Sequence, residues 1–259
     1  MSTFAEYATR YRHIRLERDE DGVLVATFHT DGGTLQWGPG PYQEFPRCFA
    51  DIGNDRGNKV VIFTGAGDDF SGPPGNPSNH RPRKTPSGWY NEYWGGKRLV
   101  SNLLDIEVPT IAAINGPAFR HSELPLLCDL VIGSDTVAFQ DTGHFMTGLV
   151  PGDGVHVIYP TLLGLNRGRY FLMTGQRIDA QEALNLGLVC ELLPRERLLA
   201  RARELAALML RQPPLVRRFT KALLVQQLKR SFHETLGYGL SIEGMAVVEG
   251  WDKPEEPEF

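Results

Sequence analysis

The 259-residue chain is 41% hydrophobic and 22% charged, with a net charge of −4, values that suit one main domain with a C-terminal appendage. No block of Lys and Arg supplies a nucleic-acid footprint, and no apolar run approaches a membrane span. The polar N-terminus has no apolar signal core, so a cytoplasmic protein is expected.

In chain order, residues 3–12 read as a short amphipathic helix or an ordered arm. Residues 14–18 (IRLER) alternate as a strand does, a polar turn follows, and residues 23–30 (VLVATFHT) give a second strand. Residues 41–53 carry Tyr42, Phe45, Phe49 and Ile52 at helical spacing, with Pro46 expected in the first turn. The run KVVIFT at 59–64 suits a strand covered on both faces. Residues 65–87 are rich in Gly and Pro and predict a long irregular loop, either a binding segment or a disordered one.

A helix is expected over 89–104, a buried strand over 110–115 and a short helix from Pro125. Further strands are expected over 130–133 and 137–140. After residue 159 helices dominate: 160–163, 166–174, 180–186 (with Asp179 as N-cap), 196–210, 215–236 and 237–250, with a strand-like run at 188–192. Arg217, Arg218, Lys221, Lys229 and Arg230 read as a solvated helix face. His156 fits a strand pattern and His233 a helical one. Cys48, Cys128 and Cys190 have apolar neighbours and no metal-ligand spacing, so buried thiols are expected. The domain reading is an α/β core over 1–195, a helical region over 196–250 and a disordered tail over 251–259.

The candidate site lies in residues 111–159. His121 and His144 sit in polar loops between apolar runs, and Asp153 follows in the turn Pro151-Gly152-Asp153-Gly154. A carboxylate beside an imidazole orients it and stabilises its charged form, which a water-activating base needs.

The segments VVIFTGAGDDFSG, EVPTIAAINGPA, SELPLLCDLVIGSDTVAFQ, GLVPGDG and RYFLMTGQRIDAQEALNLGLVCELLP resemble the crotonase (enoyl-CoA hydratase/isomerase) superfamily. The resemblance implies a spiral of ββα units forming two near-perpendicular sheets, with C-terminal helices that build homotrimers or dimers of trimers. The departures carry more information. By offset, Pro74 stands at one backbone oxyanion donor and His121 replaces a glycine at the other. His144 stands where the second catalytic glutamate falls, and Glu123 matches the first.

HSE at 121–123, QDTGH at 140–144 and VPGDG at 150–154 resemble the β-diketone hydrolase branch, typified by 6-oxocamphor hydrolase. That resemblance implies a small-molecule diketone substrate, no cofactor and no metal. It makes His144, Asp153 and His121 catalytic, and Glu243, Trp37, Tyr42 and Glu123 candidates for the substrate pocket. The branch has a histidine early in the first long helix, where this chain has Tyr42 or Gln43. The expected reaction is retro-Claisen hydrolysis of a 1,3-diketone, with His144 oriented by Asp153 and His121 on the substrate oxygen. Two other readings stay open. One is a CoA-dependent hydratase, isomerase or acyl-CoA hydrolase, for which Arg81, Arg83 and Lys84 offer phosphate contacts. The other is an inactive oligomeric scaffold.

Overall fold

The computed structural model describes residues 3–72 and 86–249. In chain order these form α1 (Phe4–Tyr7), β1 (Ile14–Arg18), β2 (Val23–Phe28), α2 (Pro39–Asn54), β3 (Val60–Gly65), α3 (Pro86–Leu104), β4 (Thr110–Ile114), α4 (Glu123–Leu126) and β5 (Leu130–Ser134). A 3-10 turn at Phe145–Thr147 leads to α5 (Val155–Leu163), α6 (Leu165–Thr174), α7 (Ala180–Asn185), β6 (Leu192–Leu193), α8 (Arg195–Leu210), α9 (Pro214–Leu224) and α10 (Gln226–Glu249).

The strands form one six-stranded sheet in the order β1-β2-β3-β4-β5-β6. β1 and β2 are antiparallel; all later pairs are parallel. Each strand lies beside the next in sequence, so each crossover advances the chain by one position. This is the α/β architecture that the resemblance implied. Its second sheet is reduced to single-residue bridges, Ser71 to Ala118, Ala118 to Phe139 and Phe139 to Ile178. The strand expected at 137–140 is the middle rung of that ladder.

Parallel strands must be covered on both faces, and the period of two divides their side chains cleanly. Leu24, Ala26, Val61, Phe63, Ala112 and Ile114 pack with Phe45 and Phe49 of α2 and Leu103 of α3. Val23, Val25, Val60, Ile62, Ile111 and Ala113 face the other way, under Leu198, Ala202 and Ala206 of α8. Burial of each such Val, Ile or Phe contributes about 1.5–3 kcal/mol.

Several expectations are corrected. Pro46 lies inside α2, which starts at Pro39, and its carbonyl accepts a 2.7 Å hydrogen bond from Asn102 Nδ2 on α3. His156 is helical, because α5 begins at Val155. The chain breaks at Val225 between α9 and α10, and α10 runs on through Gly237. The run at 188–192 contributes to the sheet only at its end, in β6. Cys48 and Cys128 are buried, but Cys190 is exposed.

The basic face of α9 is also not solvated as expected. Arg217 and Lys221 are buried, and Lys221 Nζ donates to Asp129 Oδ1 at 2.8 Å. Leu215, Val216, Phe219, Leu223 and Leu224 take the outside, each at least 49% exposed. The charged groups turn inward because they have built partners there; the apolar face is left uncovered in the single chain.

Pro74, Arg81, Arg83, Lys84 and the tail 251–259 lie outside the described residues. Among the described residues no helix is long and apolar enough to cross a membrane.

Candidate active site

The loop that follows β4 is pinned along its length. The Asn115 side chain accepts from Gly65 N at 2.9 Å and donates to the Gly67 carbonyl at 3.0 Å. Ser71 Oγ donates to the Arg120 carbonyl at 2.5 Å, and Thr142 Oγ1 donates to the Phe119 carbonyl at 2.8 Å. The loop ends at His121, whose φ of +48° lies in the left-handed region that favours glycine. A histidine held there carries strain of about 1–3 kcal/mol, a cost that persists when the surroundings over-determine the conformation and that clusters at functional sites. The next residues are fixed as well: the Tyr159 hydroxyl donates to Ser122 Oγ at 2.7 Å, and Glu123 opens α4.

The histidines and carboxylates converge. His121 Nδ1 lies 2.8 Å from Glu123 Oε1 and 3.5 Å from Asp153 Oδ2. His144 Nδ1 lies 2.7 Å from Asp141 Oδ1, and its Nε2 lies 3.4 Å from the same Asp153 Oδ2. One oxygen of Asp153 therefore stands between both imidazoles. Glu123 is fully buried, and Asp141, Asp153 and His144 are nearly so.

Burial alone would push the His144 ring down, but the Asp153 and Asp141 carboxylates outweigh it and hold the imidazole well above the ordinary histidine range. Asp153 is also opposed by burial, yet His144 and then His121 hold it below the usual carboxylate range. Burial works against a charge on His121 too; Glu123 and Asp153 overcome it and raise the ring. Burial raises Glu123, with His121 pulling the other way.

The sequence reading gives Asp153 the orienting role. The structure puts Asp141 on Nδ1 of His144 and Asp153 on the opposite nitrogen. With Nδ1–H donating to Asp141, the neutral ring presents its lone pair at Nε2. Asp141 was missed, although the spacing Asp141-x-x-His144 was its signal. Among the described residues, the buried oxygens Glu123 Oε2, Asp141 Oδ2 and Asp153 Oδ1 meet no hydrogen-bond partner, and neither does Trp37 Nε1. His121, Glu123 and Asp153 offer donor atoms within 4.8 Å of one another, a spacing at which such ligands can hold a metal ion.

The remaining candidates surround this cluster. The Trp37 ring lies against His121, with centroids 4.0 Å apart. Tyr42 stands edge-on to His121 at 5.4 Å, while Gln43 is exposed. Glu243 is buried on α10, and the helix can reach the site because two glycines meet there. A Cβ on Gly152 would come 2.3 Å from the Gly239 carbonyl and 2.9 Å from Glu243 Cβ. Helix α10 thus places Glu243 beside Gly152, the residue before Asp153.

Residues 38–241 match the enoyl-CoA hydratase/isomerase family. The chain belongs to that family. A solved structure of a β-diketone hydrolase from the cyanobacterium Anabaena sp. PCC 7120, bound to (S)-3-oxocyclohexyl acetic acid, is 44% identical; the match covers 94% of this chain and 97% of that one, with a TM-score of 0.90. An enoyl-CoA hydratase from Mycobacterium tuberculosis H37Rv is 26% identical over 92% of this chain and 96% of its own, with a TM-score of 0.75. Among curated relatives, carnitinyl-CoA dehydratase of Citrobacter koseri is 31% identical over 66% of this chain. The match spans 65% of that relative's length.

Proposed function

We propose that this family member is a β-diketone hydrolase, which adds water across the carbon–carbon bond between two carbonyls of a cyclic 1,3-diketone to give a keto acid, without coenzyme A. The observation that carries the reading is the bridging position of Asp153 Oδ2, 3.4 Å from His144 Nε2 and 3.5 Å from His121 Nδ1. Two imidazoles with buried carboxylate partners suit water activation and carbonyl polarisation better than thioester binding does. The 44% identical Anabaena relative supports it, since its bound ligand is a keto acid. Joining the carboxyl of that acid to the far α-carbon of its ketone regenerates a bicyclic 1,3-diketone.

His144 Nε2 takes a proton from water, and the hydroxide attacks one carbonyl carbon. Asp141 holds the ring and stabilises the imidazolium that forms. His121 has Nδ1 committed to Glu123 and Asp153, so Nε2 is the nitrogen left for a substrate oxygen. Collapse of the tetrahedral adduct breaks the carbon–carbon bond, and its electron pair becomes the enolate of the second ketone. The proton on His144 then passes to the enolate carbon. One water is consumed and nothing is oxidised or reduced. Turnover in oxygen-18 water should place one heavy oxygen in the new carboxyl; a product without it would rule out hydrolysis.

We infer also that copies of the chain assemble through α9, as a trimer or a dimer of trimers. The support is the row Leu215, Phe219 and Leu223 on its outer face, an apolar surface that association would remove from water. Sedimentation should give the mass of three or six chains, and Phe219→Asp should lower it. A wild-type monomer would contradict the assembly.

A further inference from the structure

The Tyr42 hydroxyl borders the cluster of histidines and carboxylates. Among the described residues no hydrogen-bond partner meets its hydroxyl. Its ring packs edge-on to His121 at 5.4 Å and edge-on to Trp37 at 6.3 Å, and lies over Gly95 and Gly96 of α3. A Cβ at Gly95 would stand 3.3 Å from the ring, and one at Gly96 would stand 3.2 Å from the hydroxyl. That second point is also 3.1 Å from a methyl of Leu240, so α10 packs against the same glycine. The Gly95-Gly96 notch leaves the room that the ring occupies.

The electrostatics suit a donor. Burial first, then the charges of Asp153, Glu243, Glu92 and Glu123, keep the phenol protonated far above its ordinary range. Asp153, the carboxylate between the two catalytic histidines, leads those charges. A phenol kept protonated by burial and the neighbouring acids is fit to donate a hydrogen bond to an oxygen that gains negative charge.

We propose that Tyr42 is a substrate-binding, specificity-determining residue whose hydroxyl donates a hydrogen bond to the second carbonyl of the diketone, the one that departs as the enolate. His121 and Tyr42 then divide the two oxygens of the substrate between them, and a ligand lacking the second carbonyl is rejected. The inference rests on the hydrolase reading and names how that site recognises its substrate.

The test uses Tyr42→Phe, which keeps the ring and removes the donor. Turnover of a bicyclic 1,3-diketone is measured beside binding of two acids, the keto acid product and its analogue with a methylene in place of the ketone. The expected result is a kcat about a hundredfold lower, a keto acid bound about tenfold more weakly, and an analogue bound equally by both proteins. Wild-type turnover by Tyr42→Phe overturns the assignment. So does equal weakening of both acids, the mark of a packing role. A wild-type protein inert toward the diketone overturns the hydrolase reading instead, and the acid-binding comparison still decides whether Tyr42 recognises a ketone.

Discussion

His144 Nδ1 sits 2.7 Å from Asp141 Oδ1, with both groups buried. The pair leaves Nε2 as the only ring nitrogen able to serve as base on the side of Asp153. Replacing Asp141 by Asn keeps the shape but can present its amide N–H to Nδ1, favouring the tautomer with the proton on Nε2. The expected loss in kcat is on the order of 10³-fold to 10⁴-fold, with KM and the thermal midpoint little changed. Steady-state kinetics beside a melting curve checks this, and near-normal kcat would remove Asp141 from the orienting role.

The pH profile follows from the same contacts. A free histidine titrates near about 6.5, and the Asp153 and Asp141 carboxylates raise His144 well above its ordinary value against the pull of burial. The base form therefore appears only as pH rises through that elevated value. The acid limb of kcat/KM should lie clearly above pH 6.5, and Asp141→Asn should move it down by removing one raising charge. An acid limb near pH 4 in the wild type would point to a carboxylate base.

Lys221 tests the inverted helix. Its Nζ reaches Asp129 Oδ1 at 2.8 Å, while Asp129 Oδ2 accepts from Thr110 N and Oγ1 at 2.8 and 2.9 Å. Lys221 is buried while Asp129 reaches solvent, so Lys221→Ala removes a hydrogen bond between charged groups and should cost about 1.5–3 kcal/mol in a denaturant titration. A loss below about 0.5 kcal/mol would mean that the pair behaves as a surface one.

The sheet was legible because the β-branched runs at β3 and β4 suit no exposed structure. Helix boundaries were less so. The break at Val225 has no Gly or Pro to announce it, whereas Gly237 looks like a stop yet sits inside α10, with the Tyr93 hydroxyl 3.1 Å from where its Cβ would be. The buried face of α9 was misread because Lys221 finds its partner 92 residues earlier in the chain. At the site, the segments around His121, His144 and Asp153 stood out, but spacing alone could not say which carboxylate meets which nitrogen. Nor could it choose between Tyr42 and Gln43, since adjacent helical residues point about 100° apart.

The most direct measurement of the hydrolase reading gives the purified protein a bicyclic 1,3-diketone and, separately, an enoyl-CoA thioester. Loss of the diketone with release of one acid per molecule, abolished in His144→Ala, is the predicted result. Hydration of the thioester with the diketone left intact would contradict it.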